Sequence, residues 1–307
     1  MNAIGFDTSN YTTSIACYSG SDYRNCSQLL PVKEGELGLR QSDAVFHHTK
    51  SLPELSGRLF FDVDIKDVQA VGVSVKPRMV EGSYMPCFSV GYSHAKLLSD
   101  ALKVPLVACS HQQGHVAAAV YSAGRPELME MPHLAWHLSG GTTELLLVEP
   151  SGYNVQCTKI GGTTDISAGQ LIDRTGQLLG LPFPAGKHLD QISAQALNTD
   201  FYRVKCQDLS FSLSGIQNKV AQYFEKTNQK EETAAYALRC ICNAVKTVTN
   251  AAIKQYPGLP VVFSGGVASN SMLRSVMANT DAIFALPEFS RDNALGVAII
   301  AYRSLGE

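Results

Sequence analysis

The sequence predicts an α/β protein that uses one plan twice, and three observations predict it. Residues 3–20 and 133–148 each read as an apolar strand, a turn of small or hydroxyl residues, and a returning apolar strand. Each hairpin is followed by further strand and helix patterns, which together indicate layered α/β lobes. The chain has 307 residues, 45% apolar and 17% charged, enough for a large core, and it contains no low-complexity linker. The expectation is a first lobe over 1–130, a second over 131–292, a cleft between them, and a terminal segment 293–307 that packs back on the first lobe.

The elements follow in order. Ala3-Ile-Gly-Phe-Asp-Thr-Ser is an apolar strand ending in polar residues, and Thr12 to Gly20 returns from it. A helix is expected over Lys50 to Phe61, a strand over Ala70 to Val75, and a second helix over Phe88 to Leu102. Pro105 to Cys109 is a short strand leading into a helix from His111 to Ala119. After the second hairpin come helices near 167–179, 187–197, 213–226 and 231–256. Pro260-Val-Val-Phe-Ser-Gly-Gly is a buried strand that opens a helix at Ser269, and a final helix runs from Asp292 to Leu305.

Composition excludes several classes. The net charge is −2, so no general positive field captures nucleic acid, and an RNA substrate needs a local patch or a partner protein. The eight cysteines are scattered without C-x-x-C pairs, which fits a reducing cytoplasm; Cys240 and Cys242 read as core thiols. No apolar run approaches the length of a membrane span, and the opening residues form a strand rather than a signal peptide.

The candidate chemistry centres on Cys109-Ser-His111-Gln-Gln-Gly-His115. On a helix the two imidazoles share one face, a turn apart, where one cation can take a nitrogen from each. A helix-surface pair without a ligand is the competing reading. His137 shares a strand face with Ser139 and is a further candidate ligand, against a satisfied core histidine. His47, His48, His94, His133 and His188 have no partner pattern and are assigned to surfaces or helix ends.

Three turns at strand ends suit a phosphate or adenylate. Ser139-Gly140-Gly141-Thr142 lets backbone N–H groups converge on an anion, though an ordinary hairpin turn has the same composition. Ser264-Gly265-Gly266-Val-Ala-Ser-Asn270 runs from a buried strand into a helix, which lets Asn270 orient a polar edge. Asp7-Thr-Ser is the third turn, and its acid suits a metal or a water better than a phosphate. Asp173 precedes the loop Pro182-Phe-Pro-Ala-Gly186. Asp292 reads equally as a helix cap or a ligand, with Arg291 beside it.

In order, Asp-Thr-Ser, His-x-x-x-His, Ser-Gly-Gly, Asp173, Gly186, Gly-Gly-Val-x-x-Asn and Asp292-Asn-Ala resemble one family over about residues 3–303. This is the tRNA threonylcarbamoyladenosine transferase family, long mislabelled O-sialoglycoprotein endopeptidase, in the superfamily of actin, sugar kinases and heat-shock chaperones (ASKHA). The resemblance implies a duplicated ASKHA fold and one divalent metal per chain, iron or zinc, on His111, His115 and Asp292. His137 replaces a tyrosine that archaeal and eukaryotic members carry there. It implies an adenine nucleotide, threonylcarbamoyl-AMP or ATP, on Ser139, Gly140, Gly141, Asp173, Gly186, Asp190 and Asn270, with Phe211-Ser-Leu-Ser-Gly-Ile matching a family helix start.

The implied reaction is metal-dependent transfer of threonylcarbamoyl from its AMP anhydride to an adenosine beside the tRNA anticodon, in the cytoplasm. The implied partners are tRNA, a paralogous subunit and a small ATPase. Asp7 is the candidate catalytic acid. Three departures describe a divergent member. The family's acidic pair becomes Asn10-Tyr11-Thr12, a glycine-proline loop becomes Lys76 to Pro86, and the Ser-Gly-Gly turn continues as Thr142-Thr143. Two other readings stay open: a nucleotide-binding paralogue that scaffolds or regulates a relative, and an ATP-dependent small-molecule kinase. A peptidase ranks last, because no glutamate stands beside the paired histidines and no nucleophile elbow is present.

Overall fold

The computed structural model describes residues 1–9, 11–31, 39–289 and 294–306. They divide into two compact units: Met1–Met131 with Glu149–Cys157 and Arg291–Glu307, and Pro132–Val148 with Thr158–Ser290. The stretch Glu149–Cys157, which the sequence places in the second lobe, groups with the first. Within that unit the Gln113 side chain donates to the Val155 carbonyl (2.6 Å) and Arg303 donates to that of Tyr153 (2.9 Å).

The first unit opens on β1 (Asn2–Asp7), β2 (Thr12–Tyr18) and β3 (Tyr23–Leu29). Helix α1 (Gln41–Asp62), β4 (Val68–Lys76), α2 (Phe88–Leu102), β5 (Leu106–Ser110) and α3 (His111–Ser122) follow. The second unit holds β6 (His133–Leu138), the start of β7 (Thr143–Ser151), the end of β8 (Asn154–Thr163), α4 (Ala168–Leu179), α5 (Gly186–Ser193), β9 (Cys206–Gln207) and β10 (Ser210–Phe211). It continues with α6 (Ser214–Thr227), α7 (Lys230–Gln255), β11 (Val261–Ser264), α8 (Ser271–Met277) and β12 (Ala282–Phe284), and α9 (Leu295–Arg303) returns to the first unit.

The duplication is explicit in the sheets. The first is ordered β3-β2-β1-β4-β5, and the second contains β8-β7-β6-β11-β12 with β10 and β9 added outside β8. In both, the opening hairpin is antiparallel and the next two strands join in parallel (β1 with β4 and β4 with β5; β6 with β11 and β11 with β12). Parallel joins need long crossovers, and the helices supply them.

The sequence reading omitted β3, β8, β9, β10 and β12. β3 carries no apolar alternation, since all but one of its residues are exposed, so it belongs to the sheet only through pairing with β2. Helix α1 begins at Gln41 rather than Lys50 and runs through Pro53. His48 on α1 and His133 on β6 are fully buried, not surface residues. Cys240 and Cys242 are buried core thiols, as the sequence indicates, and burial pushes the Cys240 thiol up to about 11 and the Cys242 thiol up to about 12.

One close packing fixes the histidine helix. A Cβ on Gly296 of α9 would sit 1.8 Å from the Gly114 carbonyl oxygen on α3, and one on Gly5 would lie 2.4 Å from the Ala294 oxygen. Only hydrogen fits at these positions, so α9 presses directly on α3 and β1. The core of the first unit gathers Ile4, Phe6, Ile15, Leu52, Leu55, Leu59 and Val71, and that of the second packs Trp136 and Phe263 against α7 and α4.

Candidate active site

In the first unit, β5 ends at Ser110, which caps α3. Its hydroxyl accepts from the Gln113 N–H (3.2 Å) while Gln113 Oε1 accepts from the Ser110 N–H (2.8 Å). This reciprocal capping box sets His111 as the first helical residue. The Nε2 atoms of His111 and His115 face each other at 3.0 Å. Asp7, at the end of β1 and 1% exposed, places Oδ2 2.7 Å from His111 Nδ1, and its Oδ1 accepts from the Ser9 N–H at 2.8 Å.

The two imidazole nitrogens suit a divalent ion by spacing. A carboxylate on Nδ1 selects the tautomer whose Nε2 lone pair is available, the usual support behind a metal-bound histidine. Two imidazole nitrogens each about 2.1 Å from a tetrahedral ion lie about 3.4 Å apart, close to the spacing here. Both Asp7 oxygens are engaged, one against His111 and one on the Ser9 N–H. Among the described residues no group of three His, Cys, Asp or Glu side chains is gathered for a metal. His137 lies on β6 of the second unit, 8% exposed and cross-strand from Glu144, while Asp292 and Arg291 lie outside the described residues.

The second unit sets the turns that begin at Ser139 and Gly265 at the carboxyl ends of β6 and β11, where α/β sheets bind ligands. His137 and Ser264 are register partners across these parallel strands, so the turns that follow are neighbours. Gly265 has φ 90°, and a Cβ there would meet the Leu138 oxygen at 2.2 Å, so its turn nests against the end of β6. The Ser139 N–H donates to the Thr142 carbonyl (2.8 Å), and the Thr142 N–H returns to the Ser139 hydroxyl (3.1 Å). A Cβ on Gly140, Gly141 or Gly266 would meet nothing within 4 Å, so those backbones are open to a ligand.

Two residues supporting this turn were missed. The Ser167 hydroxyl donates to the Gly140 carbonyl (2.6 Å), and a Cβ on Gly169 would strike the Ser139 oxygen at 2.4 Å. Together they seat the start of α4 on the turn. The signal was readable, since Ser167-Ala-Gly-Gln170 spells a capping box, and both of its hydrogen bonds form.

Helix α4 carries Asp173, whose Oδ1 accepts from the Ala185 N–H (2.9 Å), holding the loop that starts α5 at Gly186. Burial pushes the Asp173 carboxyl above the usual carboxylate range. Asp190 Oδ1 accepts from Asn270 Nδ2 (2.8 Å) and from the Ser271 hydroxyl (2.8 Å), and its Oδ2 accepts from the Ser271 N–H (3.0 Å). Asn270 caps α8 by accepting from the Leu273 N–H (3.0 Å). Asn270 and Asp190 therefore clamp α5 to α8.

Phe211-Ser-Leu-Ser is also anchored. Asp165 accepts from the hydroxyls of Ser212 and Ser214 and the N–H groups of Leu213 and Ser214. Burial raises its pKa, but these donors outweigh that and hold the carboxyl well below its usual range.

The chain is similar to known proteins in sequence and in fold. A family profile described as TsaD, tRNA N6-adenosine threonylcarbamoyltransferase, matches residues 35–299. A tRNA N6-adenosine threonylcarbamoyltransferase of Streptococcus suis (strain 05ZYH33) is 33% identical over 254 residues, 78% of this chain and 72% of that protein. One of Streptococcus pneumoniae (strain Taiwan19F-14) is 30% identical over 99% of this chain and 91% of its own length. Among solved structures, full-length HypF in its phosphate- and nucleotide-bound form superposes with a TM-score of 0.64 at 14% identity, covering all of this chain and 47% of HypF. A ROK family glucokinase from Streptomyces griseus in complex with glucose and AMPPNP gives 0.55 at 9% identity, covering 99% of this chain and 100% of the glucokinase. These two show an ASKHA-type fold, and the sequence matches decide the family: the chain belongs to the tRNA N6-adenosine threonylcarbamoyltransferases, a family of transferase enzymes acting on tRNA.

Proposed function

We propose that the chain transfers threonylcarbamoyl from threonylcarbamoyl-AMP to the N6 amine of the adenosine beside the tRNA anticodon, with one divalent ion, iron or zinc, on His111 and His115. The observation that carries this reading is the facing pair of Nε2 atoms with Asp7 behind His111. His137 and Asp292 are the further ligands the family resemblance supplies. When bound, the ion acts as a Lewis acid for the charge that develops at the attacked carbonyl.

The chain's own groups would do the rest. The open backbones of Gly140, Gly141 and Gly266 suit the phosphate of AMP, and Asp173, Gly186 and the Asp190–Asn270 clamp suit its nucleoside. The amine nitrogen bonds to the carbonyl carbon, the carbon–oxygen bond to phosphate breaks, AMP leaves with that electron pair, and the surplus amine proton passes to solvent. Holding the anhydride still supplies much of the rate. A paralogous subunit, a small ATPase and a cytoplasmic setting belong to the same proposal.

The test is reconstitution with threonylcarbamoyl-AMP, tRNA and the partner subunits, together with elemental analysis of freshly purified protein. Iron or zinc near one per chain is expected, with turnover that His111→Ala lowers by about a thousandfold, since such an ion contributes several kcal/mol. Equal turnover by the two proteins would overturn the metal assignment. A chain that binds AMP but never turns over would mark it as a scaffold instead.

A further inference from the structure

The second unit has a basic, aromatic face that shares no residue with the nucleotide set. A cavity of about 370 Å³ is lined by Phe201, Arg239, Cys242, Asn243, Lys246 and Met272, among others. An adjoining cavity of about 400 Å³ is lined by Arg203, Val204, Lys205, Cys206, Asn243 and Thr247. Arg239, Asn243 and Lys246 follow one another at four and three residues along α7, so they project from one helix face. The two cavities share Asn243, and each carries two cationic side chains.

Two features point to a ligand. Arg239 Nη1 and Asn243 Oδ1 are buried and find no hydrogen-bond partner among the described residues. Such groups are costly unless something satisfies them. The carboxamide can also turn to offer its N–H₂ to an anion. In addition, the segment before β9 places two adjacent exposed aromatics ahead of two cations: Phe201 is 42% exposed, Tyr202 is 43% exposed, and Arg203 and Lys205 are both exposed. The Lys219 ammonium lies 4.1 Å from the Tyr202 ring centroid, adding a further cation. Asp200 is the acid within this segment, and neither cavity is lined by it.

We propose that this face is a docking site for the RNA backbone, with phosphates on Arg203, Lys205, Arg239 and Lys246 and an unstacked base on Phe201. The inference rests on the reading of tRNA as substrate and says where the chain grips it outside the nucleotide pocket. RNA is favoured over an acidic protein because stacking platforms beside cations match a chain of phosphates and bases. Paired cavities also suit a repeating polyanion better than a single ion. A local patch of this kind is what a chain of net charge −2 needs to bind RNA.

The experiment is a salt titration of labelled tRNA binding to the full chain, alongside Arg203→Gln/Lys205→Gln and Phe201→Ala, all at exposed positions. The double variant should bind tRNA roughly tenfold more weakly, with the slope of log affinity against log salt smaller by about 1.5. Phe201→Ala should weaken binding with the slope unchanged, and AMP binding should hold constant in both. Wild-type tRNA affinity and slope in both variants would overturn the docking site and leave the transferase reading standing. Losses confined to polyglutamate, with tRNA unaffected, would assign the face to an acidic protein and also overturn it. A wild-type chain that binds AMP but shows no salt-dependent grip on tRNA would overturn both readings.

Discussion

The two sheets share a strand order, yet their opening hairpins end in opposite chemistry. In the first unit the turn after β1 is a buried carboxylate, with Asp7 pinned between the Ser9 N–H and His111. In the second the turn after β6 is exposed glycine backbone, with space over Gly140 and Gly141. The same scaffold thus presents buried side-chain donors once and exposed main chain the other time. A cation needs lone pairs, which side chains carry, whereas a phosphate needs N–H donors, which glycine turns present without obstruction.

The largest expected effect breaks the main-chain half. Gly265→Ala forces a Cβ against the Leu138 oxygen at a positive φ, a cost of about 3 kcal/mol by overpacking and backbone strain. Denaturant unfolding should show that loss together with weakened AMP binding, and metal content should hold. Unchanged stability would mean that β11 does not press on β6 as described.

The side-chain half carries its own pH signature. His48 is buried, its Nδ1 lies 2.8 Å from the Thr13 hydroxyl, and burial lowers its pKa to about 4 despite the nearby Asp7. The unfolded chain takes up that proton near pH 6.5 and the folded chain only near 4, so stability falls as pH drops through this window, by about 3 kcal/mol in all. His48→Asn should flatten that part of the pH–stability curve. A wild-type curve already flat from pH 6.5 to 4 would contradict the burial.

A smaller change sharpens the role given to Asp7. Asp7→Asn keeps the volume and removes the charge behind His111, so metal affinity should fall about 10- to 100-fold while AMP binding stays constant. A direct catalytic acid would instead lower turnover with metal affinity intact. The smallest effect probes the clamp between α5 and α8. Asn270→Ala removes the cap of α8 and the bond to Asp190, for about 1 kcal/mol of stability and a modest rise in the Kd for AMP.

The sequence by itself determined the α/β class, both opening hairpins, the helical spacing of His111 and His115, and the family, because these rest on local periodicity and on motifs within a few residues. The edge strand β3 was invisible in the sequence, since its exposed residues lack the apolar alternation that marks a half-buried strand. Only the tertiary structure could pair Asp7 with His111 across 104 residues, set Gly265 against Leu138, and turn Asp190 onto the start of α8. Such contacts depend on which strands lie side by side and how closely the glycines let α9 approach. Packing decides that, because no short stretch of chain carries both partners.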